Sequence, residues 1–245
     1  MVVKTKDYFK YIVLSHPRSG SSLLMNCLRQ HPEVISYGEI FVKKRIGFNS
    51  KYYSNDSKIL ITIRNYFPLL FLNKLIFKNY PKKIKAVGFK LFKNHTHFAK
   101  IYKWAKVNNV KIILLHRHNL LEAYISYMIA LNSNSFVSIK SKTPSDHHVT
   151  IDKIDFKKYV DEHQLLIDSY KELSKTNEIL EVTYEELNIN LDNTFKKLTQ
   201  FLGVENKIIP PKTEKIETRS VREVITNYDV LKADLSNSVY SKYFK

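Results

Sequence analysis

At 245 residues the chain is long enough to bury one substantial core, and 44% hydrophobic with 13% aromatic residues excludes a disordered polypeptide. A formal charge of +17 and a pI near 9.7 point to an anionic partner, whether nucleic acid, a membrane surface or a phosphorylated or sulfated small molecule, with a general compositional bias toward Lys as the competing explanation. A single cysteine, Cys27, excludes an intrachain disulfide and a cysteine-based structural zinc site; residues 1–10 lack the apolar stretch of a secretory signal, so a cytoplasmic location is expected.

The first predicted element is a strand at residues 11–14. It stops in the loop Pro17-Arg18-Ser19-Gly20-Ser21, and a helix follows at 22–30 with Leu23, Leu24, Cys27 and Leu28 along one side. Residues 43–85 combine basic side chains with an apolar centre at 59–77 broken by Pro68. Core packing is the expected role there, with a lid or a membrane-surface helix as alternatives. A strand at 84–91, interrupted by Gly88, precedes a helix at 97–107 with Phe98, Ile101, Tyr102 and Ala105 on one face. A strand at 111–115 leads to a helix at 120–131. The polar, aperiodic stretch 132–150 reads as a mobile loop near the site. A helix at 156–173, a strand at 178–183 and a helix at 191–202 complete the series.

This alternation predicts an α/β fold with an open, mainly parallel central sheet flanked by helices. Ligands then bind beyond the carboxyl ends of the strands. No repeat or Gly/Ser-rich linker appears, so residues 1–245 are read as a single domain, and no stretch approaches the 18 apolar residues of a membrane span.

Two strand-to-helix junctions carry chemistry. The first is the loop after the opening strand. It lacks the leading Gly and the Lys of a nucleoside-triphosphate loop, which leaves an anion cradle. Arg18 supplies a fixed charge, and the N–H groups of Ser19, Gly20, Ser21 and Ser22 open the helix. The second is His116-Arg117-His118-Asn119 at the end of the third strand. Ser126 lies two helical turns beyond Asn119, about 10.5 Å, within reach of an anion shared with Arg117 or His118. No metal-binding motif is present, so no metal is expected.

Taken together, the Arg-Ser-Gly-Ser-Ser loop and the later Arg-x-Asn…Ser junction resemble the two phosphate-binding motifs of sulfotransferases that use 3′-phosphoadenosine 5′-phosphosulfate (PAPS). The closest pattern is that of bacterial carbohydrate sulfotransferases of the nodulation-factor and trehalose-sulfotransferase type. "HPEVISYGEIF", "VGFKLF", "EVTYEEL" and "RSVREVITNYDVL" add to the likeness over nearly the whole chain. The resemblance implies a P-loop-like sulfotransferase fold, PAPS as donor with 3′,5′-ADP (PAP) as product, and a carbohydrate hydroxyl as acceptor. It implies that Arg18, Ser19, Gly20, Ser21 and Ser22 hold the 5′-phosphosulfate. Arg117 or His118, with Ser126, holds the 3′-phosphate, and Tyr184 and Arg219 are further nucleotide contacts. Lys90 matches a Lys at the leaving oxygen. Many members carry an Arg eight residues before the helix Ser, where this chain has His118, so the 3′-phosphate ligand stays open between the two neighbours. Glu39 is the first choice for the base that takes the acceptor proton and His95 the second. His97 reads as helix surface. A nucleic-acid binder is disfavoured because the Lys residues look scattered rather than striped, and residues 64–85 leave room for a peripheral contact with a membrane surface.

Overall fold

The computed structural model describes residues 4–48, 57–132, 148–207 and 219–244. In chain order its elements are β1 (Lys4–Thr5), β2 (Phe9–Ser15), α1 (Ser21–Gln30), β3 (Val34–Tyr37), α2 (Lys58–Tyr66), α3 (Pro68–Phe71) with a following π turn, β4 (Tyr80–Pro81), β5 (Ala86–Leu91), α4 (Phe98–Val107) and β6 (Lys111–His116). Then come α5 (Leu120–Asn132), α6 (Lys153–Lys171), β7 (Ile179–Thr183), α7 (Tyr184–Ile189), α8 (Leu191–Leu202), α9 (Val221–Val224) and α10 (Tyr228–Leu235).

Five strands form one parallel sheet in the order β3-β5-β2-β6-β7, while β1 and β4 make a separate antiparallel pair. Strand β2 lies in the centre, with Tyr11 opposite Gly88 on one side and Lys111 on the other. A parallel sheet covered on both faces needs apolar residues at consecutive positions. Tyr11, Ile12, Val13 and Leu14 are all buried, as are all six residues of β5. On one face Leu24, Cys27 and Leu28 of α1 pack with Val13, Leu115, Phe195 and Leu198. The other face packs under Phe41, Phe71, Phe77, Trp104 and Tyr170. A further cluster joins Leu121, Tyr124, Phe156, Leu231 and Phe244.

The observed elements differ from the sequence reading where local patterns are short or ends are set by caps. Strand β3 has only four residues and was not among the expected strands. The strand expected from 84 starts at Ala86, because Ile84 donates its N–H to Pro81 in a turn. The helix expected from 97 starts at Phe98, with His97 in the left-handed region (φ 61°). The helix expected at 156–173 starts at Lys153, where the Asp152 carboxylate accepts from the N–H groups of Ile154 (2.8 Å) and Asp155 (3.0 Å). Residues 133–147 of the expected loop lie outside the described residues.

Segment 43–85 is divided. Phe71, Leu72, Ile76 and Phe77 are core, whereas Ile59, Tyr66, Phe67 and Leu70 are exposed. The division depends on Arg64, which is fully buried. Its guanidinium donates to the carbonyls of Ile40 (2.8 Å), Val42 (2.7 Å), Arg45 (3.2 Å) and Lys43 (3.1 Å), and its Nε to Asn65 (2.8 Å). A planar fork of five donors suits this cluster of loop carbonyls, which Lys could not match. The clamp ties α2 to the loop that follows β3.

Gly88 marks the tightest point of the sheet. A Cβ there would lie 2.3 Å from the Tyr11 carbonyl oxygen and 2.5 Å from its ring. Gly88→Ala should therefore overpack the centre of the sheet and cost about 1–3 kcal/mol or more, read as a lower urea midpoint with an unchanged slope. An unaltered midpoint would mean that the two strands can separate freely.

Candidate active site

All five parallel strands deliver their carboxyl ends to one edge, where contacts join Arg18, Gly20, Ser21, Glu39, Lys90, His95, Arg117, Ser126 and Tyr184 in three groups. β2 leads into the loop of Arg18, Ser19 and Gly20. Arg18 (φ 70°) and Gly20 (φ 82°) flank Ser19 in left-handed conformations, the type of backbone that curls N–H groups around a concavity. Such a φ is uncommon for Arg, and strain of this sort persists where the surroundings enforce it. Helix α1 then opens with no side-chain cap and no acidic residue in its first turn, as a helix end suited to an anion would. The Ser19 N–H is already bonded to the His16 carbonyl at 3.3 Å. The cradle's backbone donors therefore begin at Gly20 rather than at Ser19. Ser19 Oγ is buried with no hydrogen-bond partner among the described residues, Ser21 is buried and Ser22 is exposed.

Above this loop the Tyr184 ring covers Gly20 so closely that a Cβ would come within 2.5 Å of it. The Arg117 guanidinium lies over the other part of this assembly, 4.4 Å from the Tyr184 ring centre, a cation–π contact. Arg117 is buried and ion-paired to Glu122 through Nη2, and its buried Nε has no hydrogen-bond partner among the described residues. Arg18 Nε donates to Ser126 Oγ at 2.9 Å, which joins the first junction to the second. Burial, and then the like charge of Arg117, push the Arg18 guanidinium below its usual range. Two guanidiniums near buried hydroxyls make a site that an anion would stabilise.

His118 is placed differently. It is exposed, and its N–H is held by Glu185 at 3.1 Å, while the same carboxylate accepts the Asn119 N–H at 3.2 Å. The amino end of α5 is thus already capped by a carboxylate. Arg219 is partly buried just before the Ser220-capped start of α9.

The third group lies at the ends of β3 and β5. Lys90, 6% exposed, contacts Glu39 at 2.8 Å and Ser21 Oγ at 3.4 Å. The other Glu39 oxygen meets His95 Nε2 at 3.2 Å. His95 Nδ1 accepts the Phe92 N–H at 3.2 Å, which puts the ring proton on Nε2 and makes His95 the donor to Glu39. His97 caps α4 half-buried and is not part of this group. Burial raises the Glu39 pKa, but the His95 hydrogen bond and the Lys90 charge outweigh it and bring the carboxyl to about 2. For Lys90 burial prevails over the support of Glu39, with Arg29 and Arg18 adding to the downward shift.

Sequence reasoning missed several members. Glu122 and Glu185 hold Arg117 and the α5 start; both lie in motifs noticed for other reasons. Tyr159 of α6 stacks on Tyr127 and lies tilted against Tyr124, with a buried hydroxyl that has no hydrogen-bond partner among the described residues and a pKa raised by burial. Nothing in its local pattern separates it from a core aromatic. Among the described residues no group of three or more His, Cys, Asp or Glu is arranged to hold a metal ion.

Fold and loop together define an open, parallel α/β protein of P-loop-like fold with a basic, helix-opening loop at the sheet edge. The sulfotransferase domain model matches residues 10–241, and the chain belongs to that family. Over 96% of its length it is 23% identical to nodulation protein H of Rhizobium meliloti, covering 94% of that protein, and 22% identical to nodulation protein H of Rhizobium tropici, covering 92%. Among solved structures it is similar to a mouse sulfotransferase complexed with PAP (TM-score 0.49, 13% identity, 96% of this chain and 88% of the other). A sulfotransferase from Alicyclobacillus acidocaldarius gives a TM-score of 0.46 at 13% identity, covering 97% and 95%.

The Glu39 pKa predicts a stability profile. Its folded value lies below the ordinary 4.5, so the Lys90 and His95 contacts contribute stability above that pH and lose it as pH falls toward 2. Urea midpoints of the wild type and Glu39→Gln should differ by a constant amount near neutrality and converge below about pH 4.5. A gap that ignores pH would show that Glu39 is not held as a carboxylate.

Proposed function

We propose that this sulfotransferase moves a sulfuryl group from PAPS to a hydroxyl of a carbohydrate acceptor. The observation that carries the reading is the run of contacts Ser21–Lys90–Glu39–His95, which joins the start of the anion loop to a carboxylate held ready at the neighbouring strand end. The donor fits the residues present: Ser19 Oγ and Arg117 Nε are buried polar atoms without hydrogen-bond partners among the described residues, close to Arg18 and the α1 amino end. The likeness to nodulation protein H over 96% of the chain, taken with the motif resemblance to bacterial carbohydrate sulfotransferases, supports a carbohydrate acceptor.

When bound, PAPS supplies the sulfuryl group on a phosphate leaving group. The acceptor oxygen bonds to sulfur as the bond from sulfur to the bridging oxygen breaks, and that electron pair stays on the phosphate. Arg18, the N–H groups of Gly20, Ser21 and Ser22, and the Ser22 hydroxyl hold that phosphate and the charge it gains. Lys90, next to Ser21, serves the bridging oxygen. Glu39 takes the acceptor proton. Its low resting pKa reflects the His95 hydrogen bond and the Lys90 pairing, and as Lys90 turns toward the developing negative charge its share of that support weakens and the carboxylate becomes a stronger base. His95 has both ring nitrogens engaged, which favours an orienting role over that of base. Buried Arg117, with Tyr184 and Ser126, suits the 3′-phosphate better than exposed His118, and Arg219 is assigned to the same nucleotide end.

Two measurements test this. Glu39→Gln should lower kcat by about 10²–10⁴ with PAP binding nearly unchanged, while His95→Asn should cost far less. A dead His95→Asn with an active Glu39→Gln would reassign the base. In calorimetric titration with PAP, Arg117→Ala should weaken binding by about 30-fold or more, the loss expected for one side of a buried charged contact, and His118→Asn should stay within about twofold of wild type by the same reasoning for an exposed group. The opposite ranking would give the 3′-phosphate to His118.

A further inference from the structure

The chain's positive charge is segregated rather than scattered. Residues 40–121 hold 18 Lys or Arg and one acidic residue, Asp56, so this third of the chain carries the whole +17 and the rest sums to zero. The same stretch contains the exposed apolar side chains of α2 and α3. Ile59 and Tyr66 are seven residues apart, hence on one face of α2, and are 72% and 76% exposed. Phe67 and Leu70 follow at 61% and 51%.

Between the two helical segments the chain turns by 118° at Phe67, and Pro68, which sets the second segment's start, is buried. Among the described residues no single helix is long and apolar enough to cross a membrane; the bent pair is so only when taken together. Phe71, Leu72 and Ile76 of the second segment are committed to the core. What remains outside is an elbow with Tyr66 and Phe67 at its tip. The exposed Lys43, Lys44 and Arg45 adjoin it, because Arg64 binds the carbonyls of that loop one turn before the bend. Lys58 and Lys74 are exposed at either end.

We propose that this elbow docks on an anionic lipid surface, with Tyr66, Phe67, Leu70 and Ile59 entering the interface and the surrounding Lys and Arg side chains meeting the headgroups. Aromatic side chains at a polar–apolar boundary and a ring of cations are the two complementary parts of interfacial binding. Acidic polysaccharide would satisfy the cations but leave the aliphatic Ile59 and Leu70 in water. The Arg64 clamp fixes the elbow to the loop beginning at Glu39, so docking would bring the acceptor side of the site to the membrane plane. The docking itself does not depend on which acceptor is sulfated.

Flotation of the full-length protein with vesicles of phosphatidylcholine alone, or mixed with phosphatidylserine, tests the proposal. The wild type should float only with the phosphatidylserine vesicles, and added salt should reduce the bound fraction. The double variant Tyr66→Ser, Phe67→Ser should partition at least about tenfold less, with wild-type PAP affinity and melting temperature. No flotation at low salt would overturn the proposal. So would equal flotation of the double variant, which would leave charge alone as the cause. Retention on a sulfated dextran column that ignores Tyr66 and Phe67, without flotation, would assign the face to acidic glycan instead.

Discussion

A parallel sheet places every strand's carboxyl end on one edge, and nothing in the backbone can send one of them elsewhere. In this protein that constraint assembles the site. Arg18 follows β2, Glu39 follows β3, Lys90 and His95 close β5, Arg117 follows β6 and Tyr184 follows β7. These residues span most of the chain, yet each sits within a few residues of a strand end. The close Tyr11–Gly88 approach holds the two central strands that carry the loop and the Lys. The fold therefore does more than support the chemistry: its direction decides which side chains can meet.

Bringing Arg18, Arg117 and Lys90 to one buried edge is costly, because each charge loses water and repels the others. The carboxylates nearby offset this unevenly. Glu122 pairs with Arg117, and Glu39 pairs with Lys90, while Arg18 leans on the hydroxyl of Ser126. Glu185 acts on backbone, closing the amino end of α5 so that the open helix start nearest the site is that of α1. The result is graded: one helix end is open and another is closed by a carboxylate. Replacing buried ion pairs of this kind by apolar residues would cost little stability, and their value lies in where they place the charges.

Much of this was legible in the sequence because it is written locally. The strand, the glycine loop and the periodic helix of residues 11–30 sit in consecutive positions, as do the elements of 111–131. The sheet's direction followed from their alternation. Other parts depend on contacts between distant residues, which periodicity does not report. The His118 N–H meets a carboxylate 67 positions away, and Arg64 binds carbonyls 19–24 positions earlier. Arg64 inside the apolar run 59–77 was not singled out, and both its burial and its role needed the loop beside it. β3 escaped because four buried residues are too few to show a period. The neighbours Arg117 and His118 could not be separated from sequence either, since only the backbone turn shows that one is buried and the other exposed.

The Tyr184 ring over Gly20 links two parts of the chain that are otherwise independent. A side chain at position 20 would strike the ring, and the ring is also the surface on which the Arg117 guanidinium rests. For the lineage of this protein, positions 20, 117 and 184 thus form a single unit of inheritance. Drift at position 20 is opposed twice, by the Tyr184 ring and by the left-handed backbone (φ 82°), so a smaller residue at 184 would remove only one of the two barriers.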